Sequence, residues 1–148
     1  MKTINIALMI LLGLTAFSAQ ADEASAQLLA KKYAGIAKGI DANYPGLSAT
    51  DGEAFFNREI TVKGKPVACA SCHTANPADA GKHIVTGKRI RPLSPIVNPK
   101  RFANTDKVEE NFTKHCNDII ARDCTAQEKG NYIAYLLTVK EPTAKTKK

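Results

Sequence analysis

The sequence predicts an all-α domain. Apolar residues recur at helical spacing in three separate segments, and two Thr-x-x-Glu patterns stand where helices would begin. No run of useful length alternates apolar and polar residues as a half-buried strand does, and no stretch repeats internally. The first helix spans Ser25 to Ile40, with Leu29, Tyr33, Ile36 and Ile40 on one face, and Pro45 and Gly46 in "DANYPGLS" break it. Thr50-Asp51-Gly52-Glu53 is a capping-box pattern opening a short second helix through Phe55 and Phe56. "TVKGKPVA" reads as a turn. A long irregular stretch then runs from His73 to about Thr105, punctuated by Pro77, Gly81, Gly87, Pro92, Pro95 and Pro99. The third helix covers Asp106 to Ile120, its acidic first turn matching the helix dipole. Thr125-x-x-Glu128, the second capping box, starts a last helix with Ile133, Leu136 and Leu137 on one face. Residues 142–148 are expected to be a disordered basic tail.

The 148 residues are one domain's worth of chain. Residues 1–21, "MKTINIALMILLGLTAFSAQA", combine Lys2, an apolar run from Ile4 to Leu14, and small residues Ala19 and Ala21. That is the pattern of a cleaved secretory signal peptide. The run is too short to span a bilayer comfortably, and no other segment approaches the roughly 20 apolar residues needed. The expected product is an exported domain over residues 22–141, with no membrane span. The formal charge is +7, of which Lys2 leaves with the signal peptide. The remaining basic excess fits solubility first and docking to an acidic partner second. Few aromatics and no recognition motif argue against nucleic acid.

All four cysteines lie in the mature part: Cys69, Cys72, Cys116 and Cys124. Cys69-Ala70-Ser71-Cys72-His73 has the Cys-x-x-Cys-His spacing of c-type haem attachment. Two thiols three residues apart reach both vinyl groups on one porphyrin edge, and the following His73 falls beneath the iron. A zinc half-site needs a second ligand pair, and Cys116 and Cys124 are too widely spaced to be one. A thioredoxin-type dithiol wants a βαβ setting, which is absent. With two cysteines on one covalent haem c, Cys116 and Cys124 are left to pair in an oxidising compartment. The haem also explains the long irregular stretch, which can wrap it. Lys88, Arg89 and Arg91 there suit haem propionates and equally suit a solvated basic loop. "GKHIVTGKR" has neither the spacing nor the Ser/Thr of a phosphate loop.

The sixth iron ligand follows from inventory. Both methionines, Met1 and Met9, leave with the signal peptide, so methionine ligation is excluded. His83 lies in a polar loop and reads as exposed. Val108, Phe112, His115 and Ile119 form one stripe of the third helix, which aims His115 at the interior. In a domain built around haem, His115 is the candidate distal ligand.

The segments "GEAFFNREI", "CASCHTANPA", "GKHIVTGKRIRPLSP", "KRFANTDKVEENFTKHCNDIIARDC" and "EKGNYIAYLLT" together resemble the cytochrome c″ and SHP-type monohaem cytochrome c family. The resemblance covers nearly the whole mature chain. It implies a class I-like cytochrome c fold with an additional N-terminal helix and a long haem-wrapping loop. It also implies that His115 is the sixth ligand and that Cys116 and Cys124 form a disulfide. In SHP-type relatives an asparagine stands at the position of His115 and leaves when oxygen or nitric oxide binds. This chain has His115, and its Asn117 is not at that position, so the resemblance is to the bis-histidine branch. His83 stands where a relative carries a different residue, which fits a non-ligating role. In the bis-histidine branch the distal histidine detaches on reduction and takes up a proton.

The resulting expectation is a periplasmic, monomeric, non-enzymatic electron carrier with an unidentified redox partner, acidic if docking is electrostatic. His73 and His115 ligate the ferric iron, and His115 is released and protonated in the ferrous state. The alternative is an oxygen- or nitric oxide-binding haem protein using the vacated site. An enzyme ranks last, because no distal acid/base constellation accompanies His115.

Overall fold

The computed structural model describes residues 14–143, with side chains from residue 20 onward. Residues 1–13 of the expected signal peptide and 144–148 of the expected tail lie outside that range. The elements in chain order are α1 (Leu14–Ile40), α2 (Ala49–Asn57), β1 (Ile60–Val62), β2 (Lys65–Val67), α3 (Cys69–His73), β3 (Gly81–Lys82), β4 (Arg89–Ile90), α4 (Thr105–Ile120) and α5 (Ala126–Thr138). The strands are two short antiparallel hairpins, so the fold is mostly helical as expected.

Helix α1 begins eleven residues before the expected Ser25, within the leader. Its inward face also differs. Ala26, Leu29, Ala30, Tyr33 and Ala37 are buried, whereas Ile36 and Ile40 are 43% and 80% exposed. The alanines face inward because α5 comes close there. A Cβ added at Gly130 of α5 would sit 2.9 Å from Leu47 Cδ2 and 3.3 Å from Tyr33 Cβ.

Helix α2 starts two residues earlier than the Thr50 pattern suggests. Ser48 is the N-cap, its Oγ accepting from the Asp51 N–H at 3.1 Å. Its own N–H donates to Asn131 Oδ1 of α5 at 2.9 Å, a tertiary partner that selects Ser48 over Thr50. "TVKGKPVA" forms the β1–β2 hairpin rather than a bare turn. Lys63 and Gly64, at φ 50° and 77°, make the two-residue turn that suits strand twist. Asn104 caps α4, accepting from the Lys107 N–H at 2.9 Å. Thr125 and Glu128 form the expected reciprocal capping box of α5, with bonds of 3.1 and 2.9 Å.

Helix α5 is the hub, packing against both α1 and α2. Ile133 and Leu136 are fully buried, together with Phe56, Phe102 and Val108. Ring contacts tie the helices together: Tyr33–Phe112 at 6.0 Å, Phe112–Tyr132 at 5.5 Å and Phe56–Tyr135 at 5.7 Å. The stretch after α3 is fastened to the C-terminal segment. Asn76 Nδ2 donates to Glu141 O and Thr143 Oγ1, the Thr143 N–H donates to Asp79 Oδ1, and Ser94 Oγ donates to Val139 O. Asp22 of α1 is buried and accepts from the Phe102 N–H at 2.8 Å, holding the approach to α4. Among the described residues no helix is long and apolar enough to cross a membrane.

Two helical glycines separate packing from backbone entropy. A Cβ at Gly52 would lie 1.9 Å from Asn131 O across the α2–α5 contact, while Gly35 of α1 has nothing within 4 Å. Gly52→Ala is expected to destabilise by about 1–3 kcal/mol or more. Gly35→Ala is expected to stabilise by about 0.5–1 kcal/mol. Thermal unfolding of the two variants should therefore move in opposite directions.

Candidate functional site

The site is built by two helices of very different size. The short helix α3 carries Cys69, Cys72 and His73, and its entry is tied by the Ala68 N–H donating to Ser71 Oγ at 3.0 Å. It ends abruptly at Thr74, whose φ of 64° is rare for a β-branched residue. That conformation costs of order 1–3 kcal/mol. The Thr74 hydroxyl offsets part of it by donating to Asn76 O at 2.8 Å, and Asn76 is itself fastened to residues 141 and 143. Gly81 of β3 then passes directly against the turn. A Cβ there would lie 2.1 Å from Cys72 O and 2.9 Å from His73 Cα, so only glycine fits. Cys69 and Cys72 are both free thiols, half-buried, and burial pushes the Cys69 thiol up.

From the other side comes α4. Val108, Phe112 and Cys116 are its buried residues. The expected stripe through His115 is therefore rotated: the core takes Cys116, and His115 sits exposed on the flank that faces His73. The two imidazole centres are 6.3 Å apart with planes inclined at 61°. Metal–imidazole bonds are about 2.0–2.1 Å long, so two rings sharing one metal ion from opposite sides have centres about 6 Å apart. The sequence singles out the ring that the fold brings to His73, but expects it in the interior, where the structure leaves it exposed.

Each ring is prepared differently. His115 Nδ1 lies 2.7 Å from Asn111 O, one turn earlier in α4. A carbonyl only accepts, so the neutral ring carries its proton on Nδ1 and leaves the Nε2 lone pair for a metal. His73 Nδ1 is buried with no hydrogen-bond partner among the described residues. Burial, reinforced by the nearby His115 and Arg101, pushes the His73 imidazole down to about 4. It is therefore neutral at ordinary pH, as a ligating imidazole must be. The residues present fit a covalently held haem: two thiols and a neutral imidazole on one turn, and a second imidazole opposite. Among the described residues, no cluster of three or more His, Cys, Asp or Glu could hold a metal ion unaided.

His83 takes no part. It lies exposed in the β3–β4 hairpin, and its Nδ1 accepts from the N–H groups of Val85 and Thr86 at 3.2 Å. Lys88, Arg89 and Arg91 are also exposed.

Cys116 and Cys124 are joined by a disulfide, with Cα atoms 5.6 Å apart. The bond joins α4 directly after His115 to the residue preceding the α5 cap. Arg122 reinforces this corner with a two-pronged pair to Glu128, at 2.8 and 2.6 Å. Burial of Glu128 alone would raise its carboxyl, but the Arg122 bonds, the Thr125 N–H and Arg58 outweigh it and hold it low.

The sequence matches a domain of unknown function, DUF1924, over residues 42–136. It is 57% identical to cytochrome c″ of Methylophilus methylotrophus over 84% of this chain and 88% of that protein. It is 38% identical to the cytochrome c-type protein SHP of Cereibacter sphaeroides over 78% of this chain and 84% of that one. The fold superposes on the crystal structure of oxidised Methylophilus cytochrome c″ with a TM-score of 0.79 at 56% identity, over 82% of this chain and 99% of that one. On oxidised SHP, an oxygen-binding cytochrome c, the TM-score is 0.67 at 33% identity, over 76% and 96% of the two chains.

Two effects at the disulfide corner are separable. Replacing both Cys116 and Cys124 by Ser should cost about 2–3 kcal/mol, the loop-closure value for so short a loop. Arg122→Ala should cost roughly 0.2–1 kcal/mol at pH 7. Glu128 has a depressed carboxyl, so its contribution is present above the unfolded value and is lost as pH falls through the folded one. Denaturant unfolding at falling pH should show the Arg122→Ala effect shrinking as Glu128 protonates in the fold, and the disulfide effect at every pH.

Proposed function

Because this chain belongs to the family of cytochrome c″ and SHP-type cytochromes c, we propose that it is an exported monohaem electron carrier whose distal histidine, His115, detaches on reduction. The observation that carries the proposal is the pair of facing imidazoles, 6.3 Å apart, one on the thiol-bearing turn and one on α4.

Cys69 and Cys72 would hold the haem as thioethers, with His73 and His115 as axial ligands. Bound there, haem supplies a one-electron couple at its iron. The two histidines are not equivalent. His73 is half-buried, neutral and held on a turn that Gly81 packs against, so it is built to stay. His115 is exposed at the solvent edge of α4 and secured chiefly through Nδ1 to Asn111 O. That bond survives protonation, because a charged imidazole still donates from Nδ1. Protonation of a freed ring therefore need not forfeit this hydrogen bond. A solution structure of Methylophilus cytochrome c″ addresses the structural basis of haem-ligand detachment, which supports the same behaviour here.

The optical and electron paramagnetic spectra test this. The ferric protein should be low-spin, the ferrous protein high-spin at neutral pH, and His115→Ala should abolish the ferric low-spin signal. A ferrous form that stays low-spin, or a His115→Ala variant with an unaltered ferric spectrum, sinks the proposal. The second reading, binding of oxygen or nitric oxide at the released position, is favoured by the oxygen-binding SHP relative. Mixing the reduced protein with each gas decides it: a rapid spectral change at micromolar gas supports it, and no change removes it.

Residues 1–21 would act as the leader, 22–141 as the haem domain and 142–148 as the tail, with the periplasm as destination. Asp22, the first residue after the cut, is the buried acceptor for the Phe102 N–H, so processing would leave the mature N-terminus anchored. Mass spectrometry of the exported protein should give an N-terminus at Asp22. The protein would act as a monomer, without catalytic residues, exchanging electrons with a partner protein.

A further inference from the structure

The segment from residue 80 to residue 105 contains six lysines and arginines and no acidic residue, while the whole chain has a net charge of +7. Most of the excess charge is thus concentrated in one piece of chain. Its centre is the β3–β4 hairpin, where Lys82, Lys88 and Arg89 are exposed, with Arg91 following. None of these four is in an ion pair among the described residues. At the tip stand Ile84 and Val85, 56% and 83% exposed.

The tip is nonetheless ordered from within. The His83 N–H donates to Lys88 O at 2.9 Å, the Gly87 N–H donates to His83 O at 2.8 Å, and His83 Nδ1 accepts from two further N–H groups. The histidine that does not ligate has a local task, holding the loop in shape. A preformed loop loses little conformational freedom on binding. The hairpin also begins at Gly81, whose backbone lies against Cys72 and His73. A protein seated on the hairpin would therefore sit next to the segment that carries the haem.

We propose that the β3–β4 hairpin is the docking surface for an acidic redox protein, with Lys82, Lys88, Arg89 and Arg91 steering its approach and Ile84 and Val85 packing against it. The proposal rests on the haem reading above and adds the face through which electrons are exchanged. Charge complementarity selects the partner: exposed cations with no protein ion pair, around a small apolar tip, suit a carboxylate-rimmed surface with an apolar centre. Steering of this kind raises association rates by roughly 10–1,000-fold at low salt.

The test uses the ferric holoprotein and a reduced flavodoxin, an acidic flavoprotein, as probe; one electron leaves the flavin and reduces the haem iron. Stopped-flow rates are measured at ionic strengths from about 0.01 M to 0.5 M, across which screening shortens from about 30 Å to a few ångströms. Neutral lumiflavin, reduced in the same way, is the uncharged comparison donor. In the wild type, the flavodoxin rate should fall at least tenfold with salt and the lumiflavin rate should not. Lys88→Glu with Arg89→Glu should slow flavodoxin at least tenfold at low salt and leave lumiflavin within twofold. Lys31→Glu with Lys38→Glu, an equal charge change on exposed positions of α1, should slow flavodoxin less than twofold. Ile84→Ser with Val85→Ser should weaken flavodoxin binding severalfold without changing the salt dependence.

Calorimetry of oxidised flavodoxin binding gives a readout independent of the haem, and haem content is measured separately by absorbance. Missing haem with hairpin-dependent binding intact would overturn the haem reading alone. If the charge reversal perturbs the fold, Lys82→Gln with Lys88→Gln takes its place. Equal losses in the hairpin and α1 variants, or none in either, overturn the docking surface. So does hairpin-dependent sedimentation with phosphatidylglycerol vesicles in the absence of any effect on flavodoxin.

Discussion

Two imidazoles, His73 and His115, face each other with their centres 6.3 Å apart, and the other elements of the fold act to keep them so. One side is held by backbone contact. Gly81 presses on Cys72 and His73, and the residues after Thr74 are fastened to the C-terminal segment by Asn76 and Asp79. The other side is held by packing. Val108, Phe112 and Cys116 seat α4 in the core, and Phe112 meets aromatic rings from both α1 and α5. Helix α5 anchors the surrounding scaffold, through Gly130 against α1 and through its own backbone against Gly52 of α2.

The two supports differ in stiffness, and the difference has chemical meaning. His73 belongs to a short, half-buried turn with a costly backbone conformation at its exit. His115 belongs to the last turns of a helix, exposed, with one hydrogen bond to its own helix. The disulfide and the Arg122–Glu128 pair brace the helix directly after His115 without holding the ring itself. A half-buried imidazole beside an exposed one is an asymmetric pair, which suits the redox-linked detachment proposed above.

Much of the site was readable from sequence because its signals are local. The Cys69–His73 spacing fits within one helical turn and names its own chemistry, and the lack of a methionine in the mature chain is a matter of inventory. The second capping box was read correctly because both of its bonds are within four residues. The failures share a cause. The α2 cap was assigned to Thr50, yet Asn131 of α5 selects Ser48; Ile36 and Ile40 were placed inward, yet the close α1–α5 approach prefers alanine. Hydrophobic periodicity finds a face but not the distance to the neighbour, and that distance decides which residue sizes fit. The hairpins were missed because strands of two or three residues leave no alternation to detect.

What the sequence determined alone was the all-α class, the Cys69-x-x-Cys72-His73 turn, the two remaining cysteines, and His115 as a histidine on the amphipathic helix α4. What only the tertiary structure decided was the relation between them. It rotated α4 so that Cys116 rather than His115 enters the core, set the two rings face to face, and turned the basic loop into an ordered hairpin against the attachment turn. The physical reason is range. Bond spacing, capping and ligand chemistry act between neighbours in the chain, whereas helix rotation and ring separation follow from close packing among elements far apart in it.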